Sequence, residues 1–417
     1  MKTLLQINIL VNSRSTGRIV EEIGQTAISQ GWQSYIAYGR YERPSQSELI
    51  RIGTDWDIKW HGLQTRLFDR HGLGSVKATI KLIEQIKEIK PDVVHLHNLH
   101  GYYLNIEILF NFLCQANIPV VWTLHDCWPI TGHCTYFDLV GCDKWKTECH
   151  HCPQKTAYPA SILIDRSQKN YSLKKRLFTS VKNLTIIPVS KWLGGIVEQS
   201  FLSKFPIQVI NNGVDLKLFK PQDNTTDIRF KYGIGSRFML MGVATSWSDR
   251  KGFDDYLELS KTLAEDCIIV LVGLSESQQK ALPKNIIGIP RTENILELAK
   301  LYSAADVILN LSAEETFGLT TVEGFACGTP GIVYNCTASP ELITPETGFV
   351  IAKGDLTSLI QAIHILKEKG KEPYSGACRE RAERLYDKND RYMDYIKLYE
   401  SIIAKTAPPC HTDLYTV

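Results

Sequence analysis

The sequence contains no apolar run long enough to cross a membrane as a helix, no internal repeat and no low-complexity segment. Its 417 residues carry a formal net charge of only +2, which gives no sign of a nucleic-acid partner. The first residues are apolar, but Gln6 and Asn8 interrupt them and no small-residue cleavage site follows. We therefore interpret this segment as a first β-strand rather than a signal peptide.

Cysteines are scattered over most of the chain in the way that is typical of reduced thiols in a cytosolic protein. The exception is the segment 127–153, which holds five of the eleven cysteines. Four of these, ending in a Cys-x2-Cys pair, have a spacing that can complete a tetrahedral thiolate site for a structural zinc ion. A reducible disulfide pair and unligated thiols are the alternatives. The four are Cys134, Cys142, Cys149 and Cys152, and the scattered cysteines are Cys114, Cys267, Cys327, Cys336, Cys378 and Cys410.

Apolar segments of strand length alternate with amphipathic helical segments almost throughout the chain. This alternation predicts parallel sheets joined by right-handed crossovers. The pattern restarts after Asn211-Asn-Gly213, which punctuates the chain. The sequence therefore predicts an α/β protein with two doubly wound, Rossmann-like domains that face a central cleft. The main predicted strands cover residues 3–11, 34–38, 92–96, 119–124 and 183–189 in the first domain, and 237–243, 267–272, 307–311 and 331–334 in the second.

The same pattern predicts the domain boundaries. Residues 1–190 form the first domain, which carries the cysteine-rich insert 127–153, and residues 191–385 form the second. One helix, at about 376–404, is long for the second domain alone, so we expect the C-terminal helix and tail, 386–417, to pack back on the first domain. Because ligands of such sheets bind at the carboxyl ends of the strands, residues that follow strands are the candidates for chemistry.

Two carboxylates, Glu315 and Glu323, lie eight residues apart after a strand-like run, Asp306–Leu311. A helix is predicted to begin near Gly318. At about 100° per residue, this spacing leaves the two acids close in azimuth and two turns apart, one at the helix mouth and one deeper along the same face. The helix N-terminus also offers free N–H groups to an anion. A ligand with a phosphate and flanking hydroxyl groups fits all three features, and a nucleotide-sugar is such a ligand.

Other polar side chains follow predicted strands. Arg250 and Lys251 lie beside a helix start and provide two adjacent cations that can neutralise a diphosphate. His97 lies at the end of one strand, and His125 and Asp126 lie at the end of another. We predict these three to be cleft residues, because a near-neutral histidine suits a sugar or phosphate partner. At least one of the other histidines near them is expected to be buried and structural.

Three further patterns have both a functional and a simpler interpretation. Asp55-Trp56-Asp57 matches the Asp-x-Asp pattern of metal-dependent sugar-nucleotide enzymes, but we interpret it as a polar loop. The turn Ser13–Gly17 can cradle a phosphate or be an ordinary βα turn. A basic run can meet anionic lipid, although we interpret it as a solvated helix face. This run consists of Lys169, Lys174, Lys175 and Arg176.

Taken together, these stretches resemble the retaining glycosyltransferases of family 4, which have the two-domain GT-B fold. The resemblance runs through most of the chain and is most specific in the Glu-x7-Glu stretch. The cysteine-rich insert is similar to that of a subgroup found among capsule and exopolysaccharide enzymes. The matching segments are Val121–Asp126, Pro188–Trp192, Val209–Asp215 with Phe219, Arg250–Gly252, and Glu315–Glu323 with Gly328–Pro330.

The resemblance implies a role for each matching residue. Arg250 and Lys251 would hold the donor diphosphate. Glu315 would contact hydroxyl groups of the donor sugar, and Glu323 would contact the ribose. His125 would lie beside the reacting carbon. The backbone N–H groups of Phe317, Gly318 and Leu319 would face phosphate or sugar, and Gly17 would lie close to the phosphates or the acceptor.

The resemblance further implies a hexosyltransferase that takes its sugar from a UDP- or GDP-sugar and retains the anomeric configuration. No cofactor would be required for catalysis, and a bound zinc ion would be structural. The acceptor is expected to be a growing, lipid-linked saccharide of a surface polysaccharide. The enzyme is expected to be cytoplasmic, with peripheral contact at the inner membrane face.

Two alternatives stay open. A metal-dependent hydrolase would bind its metal through His95, His97, His125 and Asp126. That function leaves the paired acids and the Arg-Lys turn without a role. A non-catalytic sugar-nucleotide-binding or scaffold protein would use the cysteine-rich insert for docking.

Overall fold

The computed structural model describes residues 1–406, which form two α/β domains, each with one six-stranded sheet. The strands of the first sheet are β1 (Thr3–Asn8), β2 (Gln33–Tyr38), β3 (Glu48–Arg51), β4 (Val93–Leu96), β5 (Val120–Leu124) and β6 (Leu184–Pro188). The strands of the second sheet are β7 (Phe238–Val243), β8 (Cys267–Val272), β9 (Ile286–Ile289), β10 (Val307–Asn310), β11 (Gly331–Tyr334) and β12 (Gly348–Ile351).

All neighbouring strands in both sheets are parallel. The order is β3-β2-β1-β4-β5-β6 in the first sheet and β12-β11-β10-β7-β8-β9 in the second. Each sheet therefore grows outwards on both sides of its first strand, as a doubly wound sheet does. The predicted fold class is confirmed.

Helices join the strands of each domain. Those that accompany the first sheet are α1 (Arg14–Ser29), α2 (Asp55–Phe68), α3 (Val76–Ile89), α4 (Ile106–Ala116), α5 (Ser167–Phe178) and α6 (Lys191–Glu198). Helix α6 packs on β6, although the second domain is predicted to begin at Lys191. Those that follow are α7 (Thr226–Lys231), α8 (Phe253–Thr262), α9 (Glu276–Lys280), α10 (Ile295–Ala304), α11 (Leu319–Ala326), α12 (Leu356–Lys369), α13 (Glu372–Tyr386) and α14 (Lys388–Thr406).

Three strands that the sequence did not predict lie at or near the sheet edges. The central strands β1, β5 and β8 are buried along their whole length, as expected where helices cover both faces of a parallel sheet. In contrast, β3, β9 and β12 each leave part of their length accessible to solvent. All three are only four residues long, and β3 also begins and ends with a charged residue, so none gives the longer apolar run that reveals a buried strand.

The Asp55-Trp56-Asp57 triplet forms the first turn of α2, so its interpretation as a polar loop is wrong. Thr54 is the N-cap of this helix. Its hydroxyl accepts the N–H of Asp57 at 3.3 Å, and the Asp57 carboxylate accepts the N–H of Thr54 at 2.8 Å. This reciprocal pair is a capping box. Two acids in the first turn also favour the helix because they complement its dipole.

The chain passes between the domains twice, and the two passages lie side by side. The N–H of Lys388 donates to the carbonyl of Val214 at 3.1 Å. Gly213 permits this approach, because a Cβ there would lie 2.3 Å from the Cα of Lys388. The Nζ of Lys388 lies 3.1 Å from Glu22 in α1 and 2.7 Å from Asp215. One lysine thus joins both passages to the first domain.

The last helical segment is two helices, α13 and α14, rather than the single helix predicted from the sequence. Beyond the break, α14 packs on the first domain, as predicted. The hydroxyl of Tyr399 lies 2.6 Å from Nδ1 of His95, and the hydroxyl of Thr123 donates to that of Tyr395 at 3.0 Å. Within residues 1–406, no helix combines the length and the apolarity needed to cross a bilayer.

We predict that Tyr399→Phe destabilises the protein by about 1–3 kcal/mol, because it leaves Nδ1 of the buried His95 without its partner. The measurement is the urea concentration at the midpoint of unfolding of the first domain, with hydrogen exchange as the probe of unfolding. Tyr41→Phe is the matched control, since Tyr41 is 57% exposed. Equal midpoints for the two variants would show that the contact between α14 and His95 adds nothing to stability.

Candidate active site

The loop between β10 and α11 carries the predicted donor residues. Gly318 is the N-cap of α11, with φ at 97°, and no side chain caps the helix. The N–H groups of Gly318 and Leu319 have no hydrogen-bond acceptor in the part of the chain that the structure describes. They can therefore meet an anion. The ring of Phe317 is buried against Tyr386.

The cationic turn lies against this loop, because β7 and β10 are neighbours in the sheet. Lys251 forms an ion pair with Glu315, and both side chains are largely buried. Arg250 donates from Nη1 to the carbonyl of Glu314 at 3.1 Å. Two motifs separated by more than sixty residues thus form one surface, since the carboxyl ends of neighbouring parallel strands meet at one edge.

Gly252 ends the cationic turn and has φ at 70°. A Cβ at this position would lie 2.1 Å from the carbonyl oxygen of Leu311. Both the left-handed backbone and the close approach favour glycine here. This contact fixes the turn against the end of β10.

The second acid of the pair, Glu323, is buried in α11. Its carboxylate accepts a hydrogen bond from the Tyr302 hydroxyl at 2.9 Å, and it lies 3.6 Å from the guanidinium of Arg18 in α1. Burial raises the pKa of Glu323, while Arg18 and the Tyr302 hydroxyl oppose that rise. Arg18 belongs to the first domain, so Glu323 faces the gap between the domains.

The rings of the predicted cleft histidines, His97 and His125, are stacked. Nδ1 of His97 lies 3.2 Å from Nε2 of His125. Nε2 of His97 lies 3.2 Å from the Gln6 side-chain oxygen and must donate to it. It follows that His125 donates from Nε2 to Nδ1 of His97, and that Nδ1 of a neutral His125 carries no proton. Burial lowers the pKa of His125 to about 4, so the neutral ring dominates at neutral pH.

Asp126 lies in the wall of a cleft pocket of about 300 Å³. Its carboxylate accepts the N–H of Trp128 at 2.9 Å and pairs with Nε2 of His100 at 2.6 Å. Burial would raise the pKa of Asp126, but His100 and the Trp128 N–H hold it below its usual range. Nδ1 of His100 lies 3.0 Å from the hydroxyl of Tyr158, which lines the same pocket.

The cysteine-rich insert closes one side of this pocket and contacts the second domain. The guanidinium of Arg250 lies 4.4 Å from the ring centroid of Tyr136, within cation–π distance. The N–H of Leu139 donates to the carboxylate of Glu314 at 2.8 Å. A third contact across the cleft is the hydrogen bond from the hydroxyl of Thr316 to the carbonyl of His125 at 2.8 Å.

The four cysteines predicted to bind zinc, Cys134, Cys142, Cys149 and Cys152, line one cavity of about 10 Å³. All ten cysteines within residues 1–406 are free thiols, and Cys410 lies outside the described residues. A hydrogen bond between Cys134 and Cys152 lowers the pKa of the second thiol. In the described part of the chain, no three His, Cys, Asp or Glu residues are placed to hold a metal ion. The structure gives the zinc prediction no support.

The basic run is not a uniformly solvated face, because Lys174 is buried beneath the insert. Its Nζ donates to the carbonyls of Trp128 and Thr131 at 2.7 and 3.0 Å. Burial lowers the pKa of Lys174 to about 7. The interpretation of this lysine as a solvated cation is wrong; it anchors the insert to α5.

Gly17 lies in the first turn of α1 and is buried. A Cβ at this position would lie 3.2 Å from Cβ of Leu10 and 3.3 Å from the N atom of Asn12. The glycine therefore allows the strand-to-helix turn to pack closely. Its predicted contact with phosphates or acceptor stays a prediction.

The proposed hydrolase metal site is not formed. Nε2 of His95 lies 2.7 Å from the Thr123 hydroxyl, and its Nδ1 is bonded to Tyr399. Both ring nitrogens are therefore occupied beneath α14. His95 is the buried, structural histidine that the sequence analysis expected near the cleft.

Two family models match the chain, one in each domain. The model described as Glycosyltransferase Family 4 matches residues 16–218, and the model described as Glycosyl transferases group 1 matches residues 237–369. The chain belongs to the family 4 glycosyltransferases. The glycosyltransferase is 22% identical to the putative colanic acid biosynthesis glycosyl transferase WcaC of Escherichia coli K12, over 96% of this chain and 100% of that protein.

Solved structures share the fold of this glycosyltransferase. A sucrose-phosphate synthase from Thermosynechococcus elongatus superposes with a TM-score of 0.71 at 16% identity, covering 97% of this chain and 100% of that one. The Anabaena protein HepE in complex with UDP-glucose superposes with a TM-score of 0.67 at 15% identity, covering 96% and 100%. At these identities the superpositions establish the GT-B fold.

No sequence pattern singled out the residues of the glycosyltransferase that join the two sides of the cleft. Glu314 and Thr316 flank Glu315, and Arg18 follows Gly17, so each adjoins a residue that was singled out. Tyr136 lies inside the insert that was examined only for its cysteines. Proximity to a motif was the available signal, but the partner of each residue lies in the other domain.

We predict that Gly252→Ala destabilises the second domain more than Gly235→Ala does. Both glycines have a positive φ, at 70° and 64°, but only Gly252 has a heavy atom within 4 Å of the added Cβ. The free energy of unfolding of each variant is expected to fall by about 1–2 kcal/mol, because alanine is strained in this backbone conformation. That of Gly252→Ala is expected to fall by about 1–3 kcal/mol more, because the added Cβ overpacks the contact.

The measurement is the urea midpoint of second-domain peptides in hydrogen exchange. Equal losses in the two variants would contradict the close contact between Gly252 and Leu311.

We predict that acid destabilises the first domain selectively. The pKa of His61 and of His125 is lowered to about 4 by burial, so each group binds a proton on unfolding between pH 6.5 and 4. Stability is therefore lost as the pH falls through this window, by about 1.4 kcal/mol per pH unit for each histidine. His61 has a clear reason to stay neutral, because its Nε2 accepts the N–H groups of Gly72 and Gly74 at 3.1 and 3.2 Å.

The measurement is the urea midpoint of each domain at pH 7.5, 6 and 5 by hydrogen exchange, at about constant ionic strength. His61→Gln should reduce the pH dependence of the first domain without abolishing it, since His125 still contributes, whereas His364→Gln, which changes an exposed residue of the second domain, should leave it unchanged. Parallel loss of stability in both domains would refute the prediction.

Proposed function

We propose that the chain transfers a hexosyl residue from a UDP- or GDP-sugar to a saccharide acceptor in the biosynthesis of a surface polysaccharide. The observation that carries this proposal is the convergence of two cations, two carboxylates and an uncapped helix N-terminus on one side of the cleft. The similarity to a putative colanic acid glycosyl transferase and to a protein solved with UDP-glucose supports it.

The donor would lie along the second domain. Arg250 and Lys251 would bind its diphosphate, together with the free N–H groups at the start of α11. Glu315 would accept hydrogen bonds from hydroxyl groups of the sugar, and Glu323 from the ribose. The ion pair of Lys251 with Glu315 and the contact of Glu323 with Arg18 hold these carboxylates in place before the donor arrives.

The transfer would retain the anomeric configuration. The bond between the anomeric carbon and the diphosphate oxygen breaks, and a bond from the acceptor hydroxyl oxygen forms on the same face of the sugar. The acceptor proton passes to the leaving diphosphate. The cations at Arg250 and Lys251 would stabilise the charge that develops on the leaving group, so the reaction needs no further cofactor.

The acceptor would enter the cleft pocket, which adjoins the donor side because Arg250 also lines it. Its walls combine the Tyr136 and Tyr158 rings with the polar groups of Asp126 and Gln154. Aromatic faces beside hydrogen-bonding groups suit a saccharide, which has apolar C–H faces and polar edges. We further propose that the acceptor is lipid-linked and that the enzyme works at the cytoplasmic face of the inner membrane, in peripheral contact with it.

We predict that Lys251→Gln and Glu315→Gln each lower kcat/KM for transfer by about 10²–10³-fold while the fold is kept. The donor is first identified as the nucleotide-sugar that raises the melting temperature of the wild-type protein. Lys251→Gln should weaken this shift. Lys280→Gln, which changes an exposed lysine of the same domain, is the control.

A folded Lys251→Gln variant with full activity and an undiminished melting shift would overturn the assignment of the donor site. Activity that a chelator abolishes would instead require a metal in the reaction.

A further inference from the structure

Helix α2 directs an apolar face away from the core. Ile58, His61 and Thr65 are its buried residues. On the opposite side, Trp56 and Trp60 are 79% and 59% exposed, and the side continues with Leu63. At about 100° per residue, Trp56, Trp60 and Leu63 fall within about 60° of one another on the helix. An amphipathic helix of a globular domain normally has the reverse arrangement.

A second apolar segment lies beside this helix. Ile162, Leu163 and Ile164 are consecutive and exposed by 64%, 63% and 43%. The N–H of Ile162 donates to the carbonyl of Arg66 in α2 at 2.7 Å. Phe68, at the end of α2, lines the same surface hollow as Ile164. We call this surface the apolar face; its members are Trp56, Trp60, Leu63, Phe68 and Ile162–Ile164.

Cations surround the apolar face. Lys59, Arg66, Arg70 and Lys169 are all exposed, and none of them forms an ion pair with another residue of the described range 1–406. The nearby acids are already engaged. Asp55 pairs with Arg51, Asp57 caps α2, and Asp165 accepts the N–H groups of Cys152 and Ser167. The rim of the apolar face is therefore positively charged.

We propose that the apolar face docks the enzyme on a bilayer that contains anionic phospholipid. Tryptophan, leucine and phenylalanine beside lysine and arginine are the residues of helices that lie in a membrane interface. The anionic headgroups supply the charge that the cationic rim lacks. A second copy of the chain on this face would be a contrary outcome of the test.

The position of this face suits the reaction, a point that rests on the proposed function. Tyr158 lines the cleft pocket, and Ile162 of the apolar face follows it by four residues. Four residues span at most about 14 Å. A bilayer held at the apolar face would therefore lie close to the pocket that is proposed to take a lipid-linked acceptor.

The test is flotation of the full-length protein with vesicles of phosphatidylcholine, alone or with about one-third phosphatidylglycerol. We expect binding to the anionic vesicles, and a loss of about tenfold or more in partition for Trp56→Ala/Trp60→Ala. The control is Phe230→Ala/Leu296→Ala, which removes apolar side chains that are 87% and 60% exposed in the second domain. It should bind as the wild type does.

A second pair of variants tests the charges. Lys59→Gln/Arg66→Gln should weaken binding to anionic vesicles, by about fivefold for each residue. Lys280→Gln/Lys284→Gln, with two exposed lysines of the second domain, is the control. Salt at about 0.5 M should release the wild type in part, because it screens the headgroups. Melting temperatures and the nucleotide-sugar shift should stay unchanged in all four variants.

Three results would overturn the docking proposal: no binding of the wild type to anionic vesicles at low salt, unchanged binding of the tryptophan variant, or a wild-type dimer that becomes a monomer in that variant. The last would identify a second copy as the occupant. A protein that binds its nucleotide-sugar but not vesicles refutes the docking proposal alone. A protein that binds vesicles but no nucleotide-sugar refutes the proposed function alone.

Discussion

The arrangement of the cleft depends on the point where the two interdomain passages lie side by side. The backbone of Lys388 can approach Val214 only because Gly213 has no side chain, and the Nζ of Lys388 then reaches Glu22 in α1. A small rotation at this point would be magnified across each domain. Because it is held, α1 can present Arg18 to Glu323 in the opposite domain, and the hydroxyl of Thr316 can reach the carbonyl of His125.

Charge in the cleft is arranged in pairs that a ligand can use. Burying Glu323 costs free energy, and the raised pKa reflects that cost. Arg18 and the Tyr302 hydroxyl reduce it without removing it, so a ligand hydroxyl that donates to Glu323 would gain from an under-satisfied acceptor. Lys251 offers the opposite charge. It is paired with Glu315, and its ammonium group can still bind a phosphate. Side chains held in this way would need little reorganisation on binding the charged donor that we propose.

The fold could be predicted because parallel strands such as β8 are buried on both faces, so each appears in the sequence as a continuous apolar run. The pairing of the Lys251 turn with Glu315 could also be inferred, since both follow strands of one sheet. In contrast, the link from Glu323 to Arg18 depends on how two domains face each other, and no local pattern encodes that. The burial of Lys174 could not be predicted for a similar reason. Its acceptors are backbone carbonyls of the insert, and every residue has a backbone carbonyl, so the sequence does not show which ones a lysine will bind.

The protonation states in the cleft bear on where the acceptor proton goes. With a pKa of about 4, His125 is a poor base at neutral pH, and a proton on it would lie in a buried site that does not favour charge. Asp126 already accepts two hydrogen bonds, which stabilise its ionised form and weaken its pull on a further proton. In the proposed transfer, the oxygen of the departing diphosphate would become more basic once its bond to carbon breaks, and it would lie beside the attacking hydroxyl. The weak basicity of these two side chains is consistent with proton transfer to that leaving group, and the cations proposed to bind the diphosphate would then have the main part in lowering the barrier.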